Sequence, residues 1–137
     1  MDKTVSDKLG VKEGMSAYFH NPPDLFNEIV GLPSIEIRSG LKGEFDYIHT
    51  FAGTQKELHD QFAKLKTHLK TSGMLWVSWP KSGQNGTDLN IKKVIEIGYD
   101  HGLVESKAIS INSIWSALKF THPIPGKVYN NSYGKLK

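Results

Sequence analysis

The sequence feature that most constrains the fold is the apolar run from Met74 to Trp79, which reads Met-Leu-Trp-Val-Ser-Trp. Bulky apolar residues in an unbroken run are typical of a strand buried on both faces of a parallel sheet. Pro80 ends this strand, and a glycine-containing polar segment leads to a helix start at Thr87 or Asp88. Ligands bind at the carboxyl ends of central strands in open α/β sheets. The segment 74–88 therefore predicts both the centre of the fold and the most promising functional surface.

Strands and helices alternate along the rest of the chain. After a loose polar lead-in at 1–13, Asn21 and Pro22 predict a helix start, and Thr54 to Glu57 form a capping-box pattern. The predicted elements are strand 15–19, helix 22–31, strands 35–38 and 45–51, helix 54–73, strand 74–79, helix 87–102, and strands 103–111 and 114–120. This order predicts a mostly parallel sheet with helices on both faces, closed at one side by a C-terminal antiparallel hairpin.

Length and composition set the broad class. A chain of 137 residues fits a single α/β domain, with a core at about 8–122 and a polar tail at about 123–137. There is no cysteine, no apolar run of membrane-spanning length and no signal-peptide pattern, so a cytoplasmic location is the default expectation. The net charge of +3 is carried by lysines that alternate with acids, and Arg38 is the sole arginine. Nucleic-acid binding is therefore not expected.

The closing hairpin after a strand–helix series resembles the Rossmann-like fold of S-adenosylmethionine-dependent methyltransferases, most closely over Phe45–Pro80. Residues 8–122 are also similar to a family of short bacterial proteins of unknown function. The matching pieces are Lys8–Met15, Leu75–Lys81 (Leu-Trp-Val-Ser-Trp-Pro-Lys), Thr87–Leu89 and Trp115–Phe120 (Trp-Ser-Ala-Leu-Lys-Phe). The resemblance implies a methyltransferase-like fold and assigns no activity.

The chain departs from active methyltransferases where the cofactor would bind. Such enzymes carry a glycine-rich turn after the first strand, because S-adenosylmethionine approaches the backbone closely there. Here the turn is Phe19–Asp24, with two prolines and no glycine, and the next strand ends Ile37-Arg38 without an acidic residue for the ribose. One strand–helix unit is also missing between Arg38 and Phe45. No cofactor is therefore predicted, although S-adenosylmethionine remains an alternative.

Three segments are expected to form a ligand pocket: His20–Asp24, Thr50–Gly53 and Trp79–Thr87. The candidate binding residues within them are His20, Asn21, Asp24, Thr50, Trp79, Lys81, Gly83, Gly86 and Thr87. Lys81 and the amides of Gly83 and Gly86 could cradle an anion at a helix start, and the alternative is a mobile loop ending in a helix cap.

Single side chains also allow two interpretations. His20 could act as a general base or be an exposed loop imidazole, and His49 could face the crevice or be a packed, hydrogen-bonded core histidine. Trp79 could stack on a planar ligand or cap the core. The six histidines show no metal-ligand spacing, so neither a metal site nor a catalytic residue is predicted.

These observations favour a non-catalytic small-ligand-binding or regulatory protein on a degenerate methyltransferase-like fold. One alternative is an atypical enzyme that uses S-adenosylmethionine or a nucleotide. Another is a protein–protein interaction module, and a sheet edge left free by the missing unit could pair in a homodimer.

Overall fold

The computed structural model describes residues 5–23, 31, 33–38 and 40–126. The helices are α1 (Val5–Leu9), α2 (Gln55–Leu65) and α3 (Ile91–Asp100), with short 3₁₀ segments at Lys66–His68 and Lys81–Gly86. The strands are β1 (Ser16–His20), β2 (Glu36–Ile37), β3 (Phe45–Phe51), β4 (Leu69–Pro80), β5 (Val104–Ser110) and β6 (Trp115–Thr121). The predicted helix 22–31 lies almost entirely outside the described residues.

The strands form one sheet in the order β2-β1-β3-β4-β6-β5. Strands β1 to β4 pair in parallel, and β6 runs antiparallel to both β4 and β5, which confirms the predicted mostly parallel sheet and closing hairpin. The register aligns His20 with Thr50 and Thr50 with Val77. The carboxyl ends of β1, β3 and β4 therefore lie at one edge, and the β5–β6 turn joins them because Pro80 pairs with Trp115.

Each face of the sheet has its own apolar core. Trp79, Val77 and Leu118 pack with α2 and α3 on one face. Trp76 lies in the opposite core, which includes Leu9 at the end of α1. Alternation along a strand predicts this separation of the two tryptophans, because residues three apart point to opposite faces.

The prediction that the second helix runs to Gly73 is wrong. Helix α2 ends at Leu65, and Leu69 already pairs with Phe45 as the first residue of β4. Leu69 is buried in the same core as the leucines of α2. It is apolar because it is buried there, and its spacing from those leucines does not indicate a helix. Gly73 instead allows β3 and β4 to approach each other closely, because a Cβ at this position would lie 2.9 Å from the carbonyl oxygen of Phe45.

The start of the third helix and the N-terminal lead-in also differ from the sequence prediction. Helix α3 begins at Ile91 with Asn90 as its cap, because Thr87 and Asp88 make contacts elsewhere: the Asp88 carboxylate accepts a hydrogen bond from the Gln55 amide at the start of α2. The lead-in is not loose either. Leu9 is fully buried, and its carbonyl oxygen accepts a 2.9 Å hydrogen bond from the Trp76 indole.

Candidate ligand-binding site

A cavity of about 550 Å³ lies at the carboxyl edge of the sheet, between the start of α3 and the β5–β6 hairpin. Its volume is in the range of small-molecule sites in proteins. Its lining comes from four segments that are distant in sequence: Trp79 and Lys81–Gly83, Leu89–Ile91, Ala108–Ser110, and Ser116–Ala117.

Small side chains on the sheet create this space. Ser116 pairs with both Trp79 and Ser110, so these three residues share the face that carries α3. Ala108, two residues before Ser110, lies on the same face. Where larger strand residues would reach the helix, alanine and serine leave a gap, and the Trp79 ring forms one wall of it.

The segment after β4 is held against the hairpin. The Lys81 amide donates a 2.7 Å hydrogen bond to the Ile114 carbonyl, and the Gln84 side chain donates to Ser113. The Lys81 ammonium group donates to the Ser110 hydroxyl beside the cavity. Ser82 has a φ of 50°, a left-handed conformation that is unfavourable for a residue with a Cβ. Strain of this kind is concentrated at functional sites. The segment forms a 3₁₀ turn.

Of the sequence-predicted residues, Trp79, Lys81 and Gly83 line the cavity together. His20 and Asn21 lie at the end of β1, a separate part of the same edge, and Asp24 lies outside the described residues. Burial lowers the pKa of the His20 imidazole, as does Lys64 of α2, while Glu57 opposes both. A largely neutral imidazole at pH 7 can accept a proton.

Thr50 and Thr87 have partners within the protein. The Thr50 hydroxyl, 1% exposed, donates a 2.6 Å hydrogen bond to the Gln61 side chain. The Thr87 hydroxyl donates to the Gly53 carbonyl at 2.7 Å and accepts from the Leu89 amide. Gly86 is exposed with a φ of 71°, which fits a turn. These three residues do not line the cavity.

A buried cluster of hydrogen-bonded polar side chains lies on the opposite face of the sheet and was not among the predicted binding residues. The imidazole of His49 lies 2.7 Å from the Tyr47 hydroxyl and 2.6 Å from that of Ser78, and all three residues are fully buried. Burial lowers the pKa of His49 to about 3, so the ring is neutral. The expectation of a packed, hydrogen-bonded core histidine is confirmed. Because these three side chains have no access to solvent, they stabilise the core and do not contact an external substrate.

The described ranges contain no metal-binding cluster and no membrane-spanning helix. No group of three or more His, Asp or Glu side chains is arranged to hold a metal ion there. No helix in that part of the chain is long and apolar enough to cross a bilayer.

Comparison with known proteins identifies the family and the fold. Residues 48–124, more than half of the chain and including every cavity segment, match the model of a family described as "Protein of unknown function (DUF3052)". No curated protein matches the sequence.

Several solved structures that resemble this one are methyltransferases. A precorrin-6y C5,15-methyltransferase from Geobacter metallireducens superposes with a TM-score of 0.59 at 8% identity, over 87% of this chain and 86% of that one. The N-methyltransferase NodS from Bradyrhizobium japonicum gives 0.56 at 12% identity, over 82% and 88%. A methyltransferase from Pyrococcus furiosus gives 0.55 at 12% identity, over 83% and 78%. The predicted Rossmann-like, methyltransferase-like fold is confirmed.

Proposed function

Because this chain belongs to the DUF3052 family of proteins of unknown function, we propose a role for it that rests on its own geometry. It is a non-catalytic small-ligand-binding or regulatory protein, and its ligand occupies the cavity between α3 and the β5–β6 hairpin. The observation that carries the proposal is the cavity of about 550 Å³ at the ligand-binding edge of an α/β sheet.

The turn after β1 supports a non-catalytic role. Asn21 adopts a φ of 55°, which glycine adopts without cost, and two prolines follow it. Side chains therefore occupy the turn in which a methyltransferase has glycines, so that the cofactor can approach the backbone. Glu36 is the acidic residue of β2, but it pairs with Ser16 at the amino end of β1, and its carboxylate accepts a 3.1 Å hydrogen bond from Arg38. It lies at the wrong end of the strand to bind a ribose.

The cavity lining suggests the chemistry of the ligand. Trp79, Leu89 and Ile91 supply apolar surface, while the Lys81 ammonium and the Ser110 hydroxyl supply a cation and a polar group at one side. A small molecule with an apolar or aromatic body and one carboxylate or phosphate would match both parts. The apolar body would contribute most of the affinity, and Lys81 would fix the orientation.

An atypical S-adenosylmethionine- or nucleotide-dependent enzyme is the second candidate, and His20 is the observation that favours it. The imidazole lies at the carboxyl end of β1, the edge where this fold class binds ligands, and its lowered pKa suits a general base. Such an enzyme would bind the cofactor despite the prolines at 22 and 23.

A protein-interaction module is the third candidate. Ile91 at the cavity and Ile114 in the hairpin turn are 45% and 40% exposed, and both belong to the edge that carries the cavity. A homodimer through β2 is a further proposal, since Ile37 on this two-residue edge strand is 52% exposed. The Glu36–Arg38 ion pair on the same edge works against open-ended strand pairing.

Thermal unfolding in the presence of candidate ligands tests the first proposal. The panel contains aromatic and aliphatic carboxylates and phosphates, together with S-adenosylmethionine, S-adenosylhomocysteine, nucleotides and dinucleotides. A ligand at about a hundred times its Kd stabilises the folded state by about 2.7 kcal/mol. Ala108→Phe would fill the cavity from an exposed strand position and abolish the shift, and Lys81→Met would reduce it for anionic ligands only.

Ser106→Phe is the matched control. Ser106 is exposed on the same strand and does not line the cavity, so this variant should keep the full ligand-induced shift. A shift with S-adenosylhomocysteine that is lost in His20→Ala and retained in Ala108→Phe would instead support the enzyme. A ligand shift that survives both Ala108→Phe and His20→Ala would place binding elsewhere and contradict both proposals.

A further inference from the structure

A second cavity lies at the opposite edge of the sheet, where the parallel strands β3 and β4 begin. Its volume is about 530 Å³, close to that of the first cavity. Its lining comes from the residue before β3, the 3₁₀ turn after α2, the start of β4, and the segments that follow α3 and β6. Among the described residues none lines both cavities, so this one is a separate feature of the molecule.

An irregularity in the pairing of β3 with β4 lies beside this cavity. Phe45 pairs with Leu69 and Tyr47 pairs with Met74, so five steps along β4 match two steps along β3. The extra residues of β4 form a bulge, and Thr71 within it lines the cavity. Bulges are over-represented next to functional sites, because they direct a side chain away from its regular position in the sheet.

Contacts between distant segments hold the walls of the cavity in place. The Nε2 atom of His122, after β6, donates a 3.0 Å hydrogen bond to the Leu69 carbonyl at the start of β4. This bond leaves Nδ1 of the neutral imidazole as an acceptor. An ion pair of 3.1 Å between Asp46 and Lys70 joins β3 to the bulge. A site whose walls are fixed beforehand loses less entropy when a ligand binds.

Opposite charges line the cavity without pairing. Glu44 and Lys66 both line it, and neither forms an ion pair or a side-chain hydrogen bond within the described part of the chain. The hydroxyls of Thr67 and Thr71 also have no hydrogen-bond partner in those ranges. Gly102, at the carboxyl end of α3, adds the partial negative charge of a helix terminus. The lining therefore offers groups for a cation and groups for an anion together.

We propose that this cavity binds a small zwitterion, of which a free α-amino acid is the simplest. The ammonium group of the ligand binds the Glu44 carboxylate and the Nδ1 atom of His122. Its carboxylate binds the Lys66 ammonium and the threonine hydroxyls. A zwitterion satisfies both charges at once, whereas a simple anion would be repelled by Glu44 and a simple cation by Lys66. This site does not depend on the ligand proposed for the first cavity.

Thermal unfolding and calorimetric titration with the common free L-amino acids test the site in the original protein. Each amino acid is compared with its amide, which lacks the carboxylate, and with its N-acetyl form, which lacks the ammonium group. We expect at least one free amino acid to raise Tm, and both of its analogues to bind about tenfold more weakly or less, because each has lost a charge-assisted contact. Equal binding of all three forms would overturn the proposal, as would the lack of a shift with any amino acid.

Charge variants test the two partners separately. Glu44→Gln and Lys66→Met should each weaken binding of the same amino acid about tenfold or more. Glu13→Gln and Lys56→Met are the matched controls, because both side chains are exposed and neither lines the cavity. Unchanged binding in Glu44→Gln and Lys66→Met would contradict the proposed contacts.

A bulky side chain tests the location. Thr71→Phe places a ring in the cavity and should abolish binding, whereas Ser72→Phe, at the next exposed position of the bulge, should preserve it. Ala108→Phe fills the first cavity and should leave amino-acid binding intact. Binding that survives Thr71→Phe would overturn the proposal, and its loss in Ala108→Phe would then assign the amino acid to the first cavity.

Discussion

The Nε2 atom of His49 lies 2.6 Å from the Oγ atom of Ser78, and neither side chain is exposed to solvent. The contact joins β3 to β4, the two central parallel strands of the sheet. Phe51 stacks on the imidazole at 4.5 Å with nearly parallel planes. A polar side chain thus lies at the centre of an aromatic core, where its hydrogen bonds replace those it would make with water.

Removing His49 should destabilise the protein more than removing both members of the contact. His49→Phe leaves the hydroxyls of Ser78 and Tyr47 buried without their imidazole partner, and each unsatisfied group costs about 1 to 3 kcal/mol. Urea unfolding measures the change in free energy. The double variant His49→Phe/Ser78→Ala should recover part of the loss, because an apolar pair carries no desolvation penalty. Strictly additive losses would contradict the coupling.

His49 should also make stability depend on pH. The pKa of its imidazole is about 3 in the folded protein and ordinarily 6.5, so below pH 6.5 the unfolded chain binds a proton that the folded chain does not. The stability is fully present above pH 6.5 and declines as pH falls towards 3. Between pH 7 and pH 5 this group alone accounts for a loss of about 2 kcal/mol.

His49→Phe provides the comparison, and urea unfolding at the two pH values is the measurement. The variant should lose less stability than the original protein on acidification. His20 and His101, whose pKa values are also lowered, act in the same direction in both proteins and cancel in the difference. An identical pH dependence in the two proteins would show that the imidazole is not buried as described.

Gly98 should not tolerate a methyl group, although it lies inside a helix. Replacing glycine by alanine in a helix normally stabilises it by about 1 kcal/mol. Here a Cβ would overlap the ring of Phe120, which is fully buried between α3 and the sheet. We expect Gly98→Ala to lower the free energy of unfolding by about 1 to 3 kcal/mol.

Thermal unfolding of Gly98→Ala measures this loss, and Phe120→Leu in the same chain tests its cause. The smaller leucine leaves room for the new methyl group, so the two substitutions together should cost less than the sum of their separate effects. Stabilisation by Gly98→Ala alone would contradict the packing of α3 on β6.

Filling the cavity should raise the free energy of unfolding and abolish ligand binding. Ser116→Val adds apolar volume to the cavity floor at a strand position, where a β-branched residue is favourable. We expect a gain of about 0.5 to 2 kcal/mol in the free energy of unfolding, together with loss of the ligand-induced shift. Differential scanning calorimetry with and without ligand measures both. If the stabilised Ser116→Val variant still bound the ligand, the cavity floor would not be part of the binding site.

Local sequence signals predicted the fold well. Strand β3 spans Phe45–Phe51 as its aromatic and β-branched residues indicate, and the Thr54 hydroxyl accepts from the Glu57 amide as the capping pattern requires. The errors arose where tertiary contacts override local preference. Leu69 has helical spacing but is part of a strand. Asp88 is a residue type that often caps the helix following it, but its carboxylate accepts a hydrogen bond from the Gln55 amide at the start of α2.

The candidate sites were harder to predict, because they depend on contacts between distant segments. Trp79, Lys81 and Gly83 carried a recognisable signal at the end of an apolar strand. Ala108 and Ser116 carried none, since small residues become a cavity floor only when a helix passes over them.

The Leu9–Trp76 hydrogen bond has a consequence for biosynthesis. The residues of α1 are synthesised before β4 and β5, but the Trp76 indole that donates to the Leu9 carbonyl is 67 positions further along, and the Lys107 ammonium that donates to the Lys8 carbonyl is 99 positions further along. Contacts over such separations require the intervening chain to be present and folded. Helix α1 can therefore make these contacts only after β4 and β5 have formed, although it is synthesised before both strands.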